Sequence, residues 1–563
     1  MSMLKKAAAL LCALMLLLSA VPCVAAESIT DFWVSSDGSK GSDAIAWCKA
    51  ENKNYTFYLF LPGNVDIASL KIGFTGAKAI TVQGKKVHSG DSADFLKPGQ
   101  QYTLTAGKKY TLHVMQGSPG FPAVYITTQS GRLTAIHKNK ANKEPGALLF
   151  VSAKGETEYD GELKYIRMRG NSSTTFKKKN YQIKLTEGAN LAGMGKCKTW
   201  VLTGNSRDKS LLRNQITLDM AAYAGMKYTP EHIGAELYVN HEYMGFYLFG
   251  EKVMVDDDRV PITDLEEITE GLNEKALSAY SLAGSKTAKA GQYKAYNIPN
   301  DPEDITGGYL VEFESYAVRY KENESVYHTA KKNTLAVKSP EYCSVAQMKY
   351  ISAYMQGFEN AIFARDGVDP ASGKHYAEFV DFDSLVNKYL VEEVSKNYDG
   401  NSSSMFFYKD RDEIDPMMYA GPCWDYDSAY ASYAREDNAK NVLTGKKLWI
   451  GNATGGRLWW PALYKQADFY AAVTARYRDV FRKAMNILLG TETDETGTLR
   501  SIDEYAKDIQ KSAEMNFARW PIPKSSSTAA QTGNTFEANI TYLKNFIRER
   551  QGFLDETWLG ETQ

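Results

Sequence analysis

The chain has 563 residues, 44% of them apolar and 24% charged, an ordinary globular balance with room for about three or four domains. Lys and Arg number 66 against 67 Asp and Glu, so the net charge of -1 supplies no global field for nucleic acid or an anionic membrane surface. Past the N-terminus, no stretch approaches the roughly 20 apolar residues that a membrane span needs.

Lys5 and Lys6 precede an apolar run from Ala7 to about Ala20, and Ala25 and Ala26 offer small residues at a cleavage point. This pattern reads as a secretory signal over residues 1–26, and the protein is expected to be secreted or held at the cell surface. Pro22 stands before Cys23 where a lipoprotein signal wants a small residue. The remaining cysteines, Cys48, Cys197, Cys343 and Cys423, are far apart and form no C-x-x-C pair, so neither a zinc site nor a dense disulfide framework is indicated. One or two disulfides stay open outside the cell, their pairing undetermined; Cys423, within G-P-C-W-D, reads as a small buried core residue.

Residues 27–120 form a first block of short apolar-alternating runs, among them Tyr55–Leu61, Ala79–Val82, Tyr102–Thr105 and Tyr110–Val114, separated by Gly, Pro, Asn and Asp. Such spacing predicts an antiparallel β-sandwich, Ig-like in character. Its tyrosines offer a carbohydrate contact, although aromatic residues in strands more often serve as core or cross-strand pairs.

Residues 121–325 are again rich in strands. The strand Lys164–Arg169 runs into Gly170-Asn171-Ser172-Ser173-Thr174-Thr175 and returns as Tyr181–Leu185, a loop that could cradle phosphate with backbone N–H groups and Lys184 or Arg169. The plain alternative is a hairpin with a solvated basic tip. Asp208 or Ser206 can cap a helix carrying Leu211, Leu212, Ile216 and Leu218, with Arg213 and Asn214 in its first turns. A hairpin follows, Ile233–Val239 and Tyr243–Phe249 around Asn240-His241-Glu242, and it ends in Gly250-Glu251-Lys252-Val253. Residues 265–305 show little periodicity and read as an insertion or loop, after which Gly307–Phe313 resumes a strand.

From 326 to 563 helical patterns dominate: Val345–Phe363, then Asp381 capping Phe382–Lys396 with Leu385, Tyr389, Leu390 and Val394 on one stripe, then helices within Trp459–Leu489, Leu499–Ala518 and Phe536–Trp558. The stretch Asn397–Asp427 stands apart. Asp399, Asp425 and Asp427 sit among apolar and aromatic residues, where an unpaired carboxylate costs several kcal/mol unless it is bonded or holds a metal. Structural readings exist for each, since Y-D-G is an ordinary turn and a buried Asp can cap backbone N–H groups.

Six motifs in order resemble the CotH kinase family, the spore-coat kinase homologues: R-G-N-S (Arg169–Ser172), D-K-S-L-L-R-N (Asp208–Asn214), the hairpin Glu236–Tyr247 with Glu251-Lys252, G-G-Y-L-V-E (Gly307–Glu312), N-Y-D-G (Asn397–Gly400) and G-P-x-W-D-Y-D (Gly421–Asp427). The resemblance spans about residues 123 to 556. It implies an α+β, atypical protein-kinase-like two-lobed fold behind the all-β sandwich, binding ATP with Mg²⁺ (or Mn²⁺) and transferring phosphate to Ser or Thr hydroxyls of an extracellular or surface protein. On that template the strand-rich part is the nucleotide lobe and the helical part the catalytic lobe. Asp399 would orient or deprotonate the acceptor hydroxyl, while Asp425 and Asp427 would hold metal. Lys184, Arg169, Asn171 and Arg213 would face phosphates, and Glu251–Val253 would meet the adenine.

Two departures accompany the resemblance. Protein kinases place a metal-binding Asn five residues after the catalytic Asp; here that position is Ser404, and Asn401 is two residues away. No G-x-G-x-x-G loop occurs. Hydrolase and zinc chemistries lack their signatures, as neither G-x-S-x-G nor H-E-x-x-H is present. The rival reading is a non-catalytic extracellular assembly or surface-binding protein that keeps the kinase-like fold.

Overall fold

The computed structural model describes residues 28–39, 48–49, 51–285, 289–314, 324–400, 403–432, 448, 458–522 and 533–561. The expected signal segment and Asn401 lie outside them. The chain divides into two compact units, one taking in the chain up to Leu61, Val65–Gln116 and His241–Tyr243, the other Pro62–Asn64, Gly117–Asn240 and Met244–Gln563.

The first unit is all β. A three-stranded sheet has Asp31–Ser35 between Cys48–Lys49 and Lys71–Thr75. A six-stranded sheet contains Thr56–Leu61, Lys108–Gln116 and Gln101–Ala106 side by side. The rings of Phe32 and Phe57, one from each sheet, lie 6.2 Å apart. The alternation read from the sequence is real, with Tyr102, Leu104 and Ala106 buried and the residues between them exposed. The purely antiparallel expectation fails at one place: Thr56–Leu61 pairs parallel with Lys108–Gln116, Phe57 opposite Leu112.

The second unit begins with a closed seven-stranded barrel in the order Ala123–Thr128, Glu144–Val151, Thr157–Arg169, Asn180–Asn190, Lys196–Thr203, Glu242–Glu251, His232–Val239. Parallel pairing of Ala123 with Glu236 closes it. Period-two alternation fills the interior with Val124, Ile126, Phe150, Ile166, Tyr181, Ile183, Trp200, Leu202 and Phe249. Burying side chains of this size stabilises by about 1.5–3 kcal/mol each before conformational entropy is subtracted.

A seven-stranded sheet follows, running Leu282–Gly284, Tyr293–Tyr296, Ser325–His328, Thr334–Ser339, Tyr309–Glu314, Met405–Lys409, Met418–Ala420. Its strands come from both sides of residue 325. The expected loop at 265–305 therefore holds regular structure: Asp264 caps the helix Leu265–Gly271 through the Glu267 N–H, and two short strands join the sheet edge. Its weak periodicity reflects edge strands of three and four residues, too short to show alternation.

The helix Val345–Phe363 begins at a capping box between Ser344 and Gln347. Phe382–Ser395 is capped by Asp381, and Lys396 ends it in the left-handed conformation at φ 50°. Leu385, Tyr389, Leu390 and Val394 are all buried in one continuous core with the C-terminal helices Ile502–Arg519 and Phe536–Leu554. Cys197, Cys343 and Cys423 are buried free thiols.

Candidate functional site

A cavity of about 810 Å³ opens between the outer surface of the barrel and the segments that carry the three aspartates. Its first wall follows from strand register. Ile166 belongs to the barrel core, so its neighbour Arg167 points out, and Arg169, two residues on, shares that parity; across the sheet Arg167 pairs with Gln182, Gln182 with Val201, and Val201 with Gly250. Residues directly opposite one another share a face, and Arg167, Gln182, Val201 and Gly250 all line the cavity. Lys252, just past the end of the Glu242–Glu251 strand, also lines the cavity. Gly250 has a steric reason: a Cβ there would stand 2.5 Å from the Glu231 carbonyl oxygen.

The wall is cationic. Arg167 donates to Gln182 Oε1 at 2.9 Å, and the Arg169 guanidinium sits 4.9 Å from the centre of the Trp424 ring. Burial, followed by repulsion from Lys338, Arg167 and Arg169, lowers the Lys252 ammonium to about 8. Arg207 reaches across the mouth, donating to Ser172 Oγ at 3.3 Å and to Ser428 Oγ at 3.4 Å. Its guanidinium lies 5.0 Å from the Phe176 ring.

The opposite side is acidic. Asp399, Ser403, Ser404, Asp425 and Asp427 line it together with Glu312 and Glu314. In D-Y-D, Tyr426 is fully buried while Asp425 and Asp427 on either side face the cavity. Burial raises Asp425 above the ordinary carboxylate range against the pull of Arg169 and Arg207; burial and the Asp425 charge raise Asp427. Ser404 Oγ lies 3.5 Å from Asp425 Oδ2, and both residues have positive φ, 60° and 67°. Non-glycine residues held in that region are costly and tend to be functional.

The motif Asp208–Asn214 explains how the acidic segment is held. Asn214 Oδ1 accepts from the Tyr426 N–H at 2.7 Å, and Asn205 Oδ1 takes the Asn214 amide at 3.0 Å. Arg213 donates through Nε to the Ala429 carbonyl at 3.0 Å and pairs with Asp208, both side chains buried.

The structure therefore brings together Asp399, Asp425, Asp427, Ser404, Arg169, Asn171, Glu251 and Val253 around one cavity. It does not bring Arg213 or Lys184 there. Arg213 is spent on Asp208 and Ala429. Lys184 lies on the outward face but one pleat past Gln182, opposite Tyr165 and Thr199, among Lys164, Lys198 and Lys143. Asn171 accepts from Lys140 Nζ at 2.9 Å, and Glu251 is held by Arg259 at 2.5 Å and the Glu231 N–H at 2.9 Å, so its carboxylate is committed to scaffolding the cavity floor. Arg167, Arg207 and Lys252 are cavity cations that motif reading missed. For Arg167 strand parity was the available signal, since it shares a face with Arg169; Arg207 lies in the loop after the Lys196–Thr203 strand and Lys252 just past the Glu242–Glu251 strand, where parity does not speak.

Among the described residues no three His, Cys, Asp or Glu side chains converge as a ready-made metal cluster. The donor set nonetheless suits Mg²⁺, which keeps several waters and is commonly bound by one or two carboxylates plus substrate phosphates. Asp425 and Asp427 offer hard oxygen donors, and their mutual repulsion is what a divalent cation would relieve.

The family model described as CotH kinase protein matches residues 166–554. Among solved structures, a candidate glycoside hydrolase from Bacteroides thetaiotaomicron aligns over 54% of this chain and 82% of its own at 14% identity, with a TM-score of 0.11.

Proposed function

Because the chain belongs to the CotH kinase family, we propose that it binds ATP with Mg²⁺ or Mn²⁺ in this cavity and transfers the γ-phosphoryl group to Ser or Thr hydroxyls of a protein substrate outside the cytoplasm. The observation that carries the reading is the pairing of two walls across one cavity: Arg167, Arg169, Arg207 and Lys252 face Asp399, Asp425 and Asp427. Phosphoryl transfer asks little covalent chemistry of a protein and much electrostatic positioning.

In this reading Arg167 and Lys252 take the phosphate chain against the barrel wall. Arg207 spans Ser172 and Ser428 and stands where charge on the transferred group can be met. Asp425 and Asp427 would hold the divalent ion, which supplies charge neutralisation on the phosphates. Asp399 accepts the proton of the acceptor hydroxyl on a carboxylate oxygen as that hydroxyl oxygen bonds to the γ-phosphorus. The bond from γ-phosphorus to the β,γ-bridging oxygen breaks, and ADP leaves with the electron pair.

One observation favours a second reading, nucleotide binding without transfer. Ser404 stands where protein kinases carry a metal-binding Asn, and a hydroxyl is a poorer ligand than an amide carbonyl. Both readings are separated by incubating purified protein with γ-labelled ATP and Mg²⁺ or Mn²⁺ beside Asp399→Ala and Asp425→Ala. Label incorporated by wild type and lost in both variants supports the kinase; equal incorporation in all three rejects it. Metal-dependent nucleotide binding without incorporation selects the second reading.

A further inference from the structure

Glu392 lies in the last turn of the Phe382–Ser395 helix and is 1% exposed. A carboxylate so buried is costly unless donors are brought to it. One oxygen, Oε1, accepts from Lys388 Nζ at 2.6 Å and from the Tyr426 hydroxyl at 2.8 Å. Its other oxygen, Oε2, accepts from the Asn397 side-chain amide at 2.8 Å. Tyr426 is the residue between Asp425 and Asp427. Asn397 is two residues before Asp399, and its Oδ1 accepts from the Asp399 N–H at 3.3 Å.

The two oxygens of one side chain are thus bonded to the two separate loops that carry the acids. The helix end reinforces the connection, as the Glu392 carbonyl accepts from the Asn397 N–H at 3.0 Å. Gly400 closes over the same carboxylate: a Cβ there would stand 2.7 Å from Glu392 Oε2. Lys388, also fully buried, supplies the counter-charge and donates to the Tyr426 hydroxyl at 3.1 Å.

We infer that Glu392 is a positioning residue that sets the spacing between Asp399 and the Asp425/Asp427 pair, through Asn397 on one side and Tyr426 on the other. The inference rests on the phosphotransfer reading of the cavity and adds to it a residue that touches neither nucleotide nor acceptor. Groups that orient first ligands in this way commonly cost 10–100-fold in metal affinity or activity when changed. The nucleotide wall is built from other strands, so the effect should fall on kcat and on the Mg²⁺ requirement rather than on KM for ATP.

The test compares wild type, Glu392→Gln, Tyr426→Phe and the double variant Glu392→Gln/Asn397→Asp, measuring kcat, KM for ATP, and the Mg²⁺ concentration for half-maximal binding of a fluorescent ATP analogue. In Glu392→Gln an amide NH₂ replaces an acceptor that faces the Asn397 NH₂; in the double variant the Gln amide again meets an acceptor. Expected are a fall of about 10–100-fold in kcat with KM for ATP within about twofold, a matching rise in the Mg²⁺ requirement, and recovery in the double variant. Tyr426→Phe removes one hydroxyl and keeps the core, so it reports even where Glu392→Gln folds poorly; it should raise the Mg²⁺ requirement by about tenfold. Wild-type kcat and Mg²⁺ dependence in both single variants overturns the inference and leaves the kinase reading standing. Parallel losses of kcat and KM with no recovery also overturn it, as a merely structural role behaves so. A wild type that neither transfers phosphate nor binds metal and nucleotide overturns both.

Discussion

Lys252 is one residue through which the cavity responds to pH, beside Asp427, which burial and the Asp425 charge raise to about 7. Burial and the neighbouring Lys338, Arg167 and Arg169 hold its folded-state value near 8, against 10.5 for an ordinary lysine. A depressed lysine value means that the folded state binds the proton less well than the unfolded chain. Stability therefore rises as pH climbs from about 8 towards 10.5, while the cation that would meet a phosphate is fully present only below about 8. ATP affinity is expected to weaken tenfold or so between pH 7.5 and 9.5 in wild type and to lose that dependence in Lys252→Met, read by calorimetry at fixed salt. An unchanged slope in Lys252→Met would remove Lys252 from the phosphate site.

Residue types that carry chemistry were legible in the sequence where a motif surrounded them. Asp399, Asp425 and Asp427 were found because carboxylates in apolar company demand an explanation. Lys184 is the lysine that the sequence offers for the phosphates, and it stands away from the cavity because cations on strands are assigned to a place only through register, which is set by pairings between strands distant in sequence. Glu392 escaped notice because in the sequence it is one of two adjacent acids on a helix, Glu392 and Glu393, and nothing local distinguishes the one that reaches Tyr426 from the one that pairs with Arg550.

Among the elements, the segment Asp208–Asn214 holds the acidic loop through buried polar bonds, and of its members Asn214 also reaches the cavity lining. Asp208 is fully buried and accepts from the Ser210 and Arg213 N–H groups, while Leu211 adopts φ 61°. This knot presents Asn214 to the Tyr426 backbone and Arg213 to Ala429. The sequence predicts a helix that carries Leu211 and Leu212, whereas the observed one starts at Arg213; the phosphate role of Arg213 comes from the family template, and only the fold shows Asp208 underneath it. Arg213→Ala should cost about 3–5 kcal/mol in urea unfolding because it strands the buried Asp208 charge. Full stability with a selective loss of ATP affinity would instead return Arg213 to the phosphates.

The helices were the most legible elements. Val345–Phe363 and Phe382–Ser395 carry their caps and their stripes in the sequence, and the left-handed Lys396 that ends the second one is followed by buried Asn397 and by Asp399 at the cavity. The barrel was legible only as strands. Closure depends on parallel pairing between Ala123–Thr128 and His232–Val239, more than a hundred residues apart, which no local pattern encodes.

For the whole molecule, the cavity joins a barrel wall whose cations are fixed by register to loops whose acids are fixed by buried polar bonds. Such a site is formed before ligand arrives, and binding should add to stability by mass action. At a hundred times Kd, ATP with Mg²⁺ should raise the unfolding free energy by about 2.7 kcal/mol, visible as a shift in Tm that EDTA abolishes. Among the described residues, those that line the cavity belong to the second unit.

The acids are proposed to divide by role, Asp425 with Asp427 for the metal and Asp399 for the acceptor proton. Calorimetry of Mg²⁺-dependent ATP binding, set beside phosphate transfer, in Asp399→Asn and Asp425→Asn separates those roles. Asp425→Asn is expected to lose metal-dependent binding and transfer together, whereas Asp399→Asn binds ATP with Mg²⁺ within about threefold of wild type and loses transfer by at least about a hundredfold. Equal binding in wild type and Asp425→Asn, or full transfer by Asp399→Asn, would contradict that division.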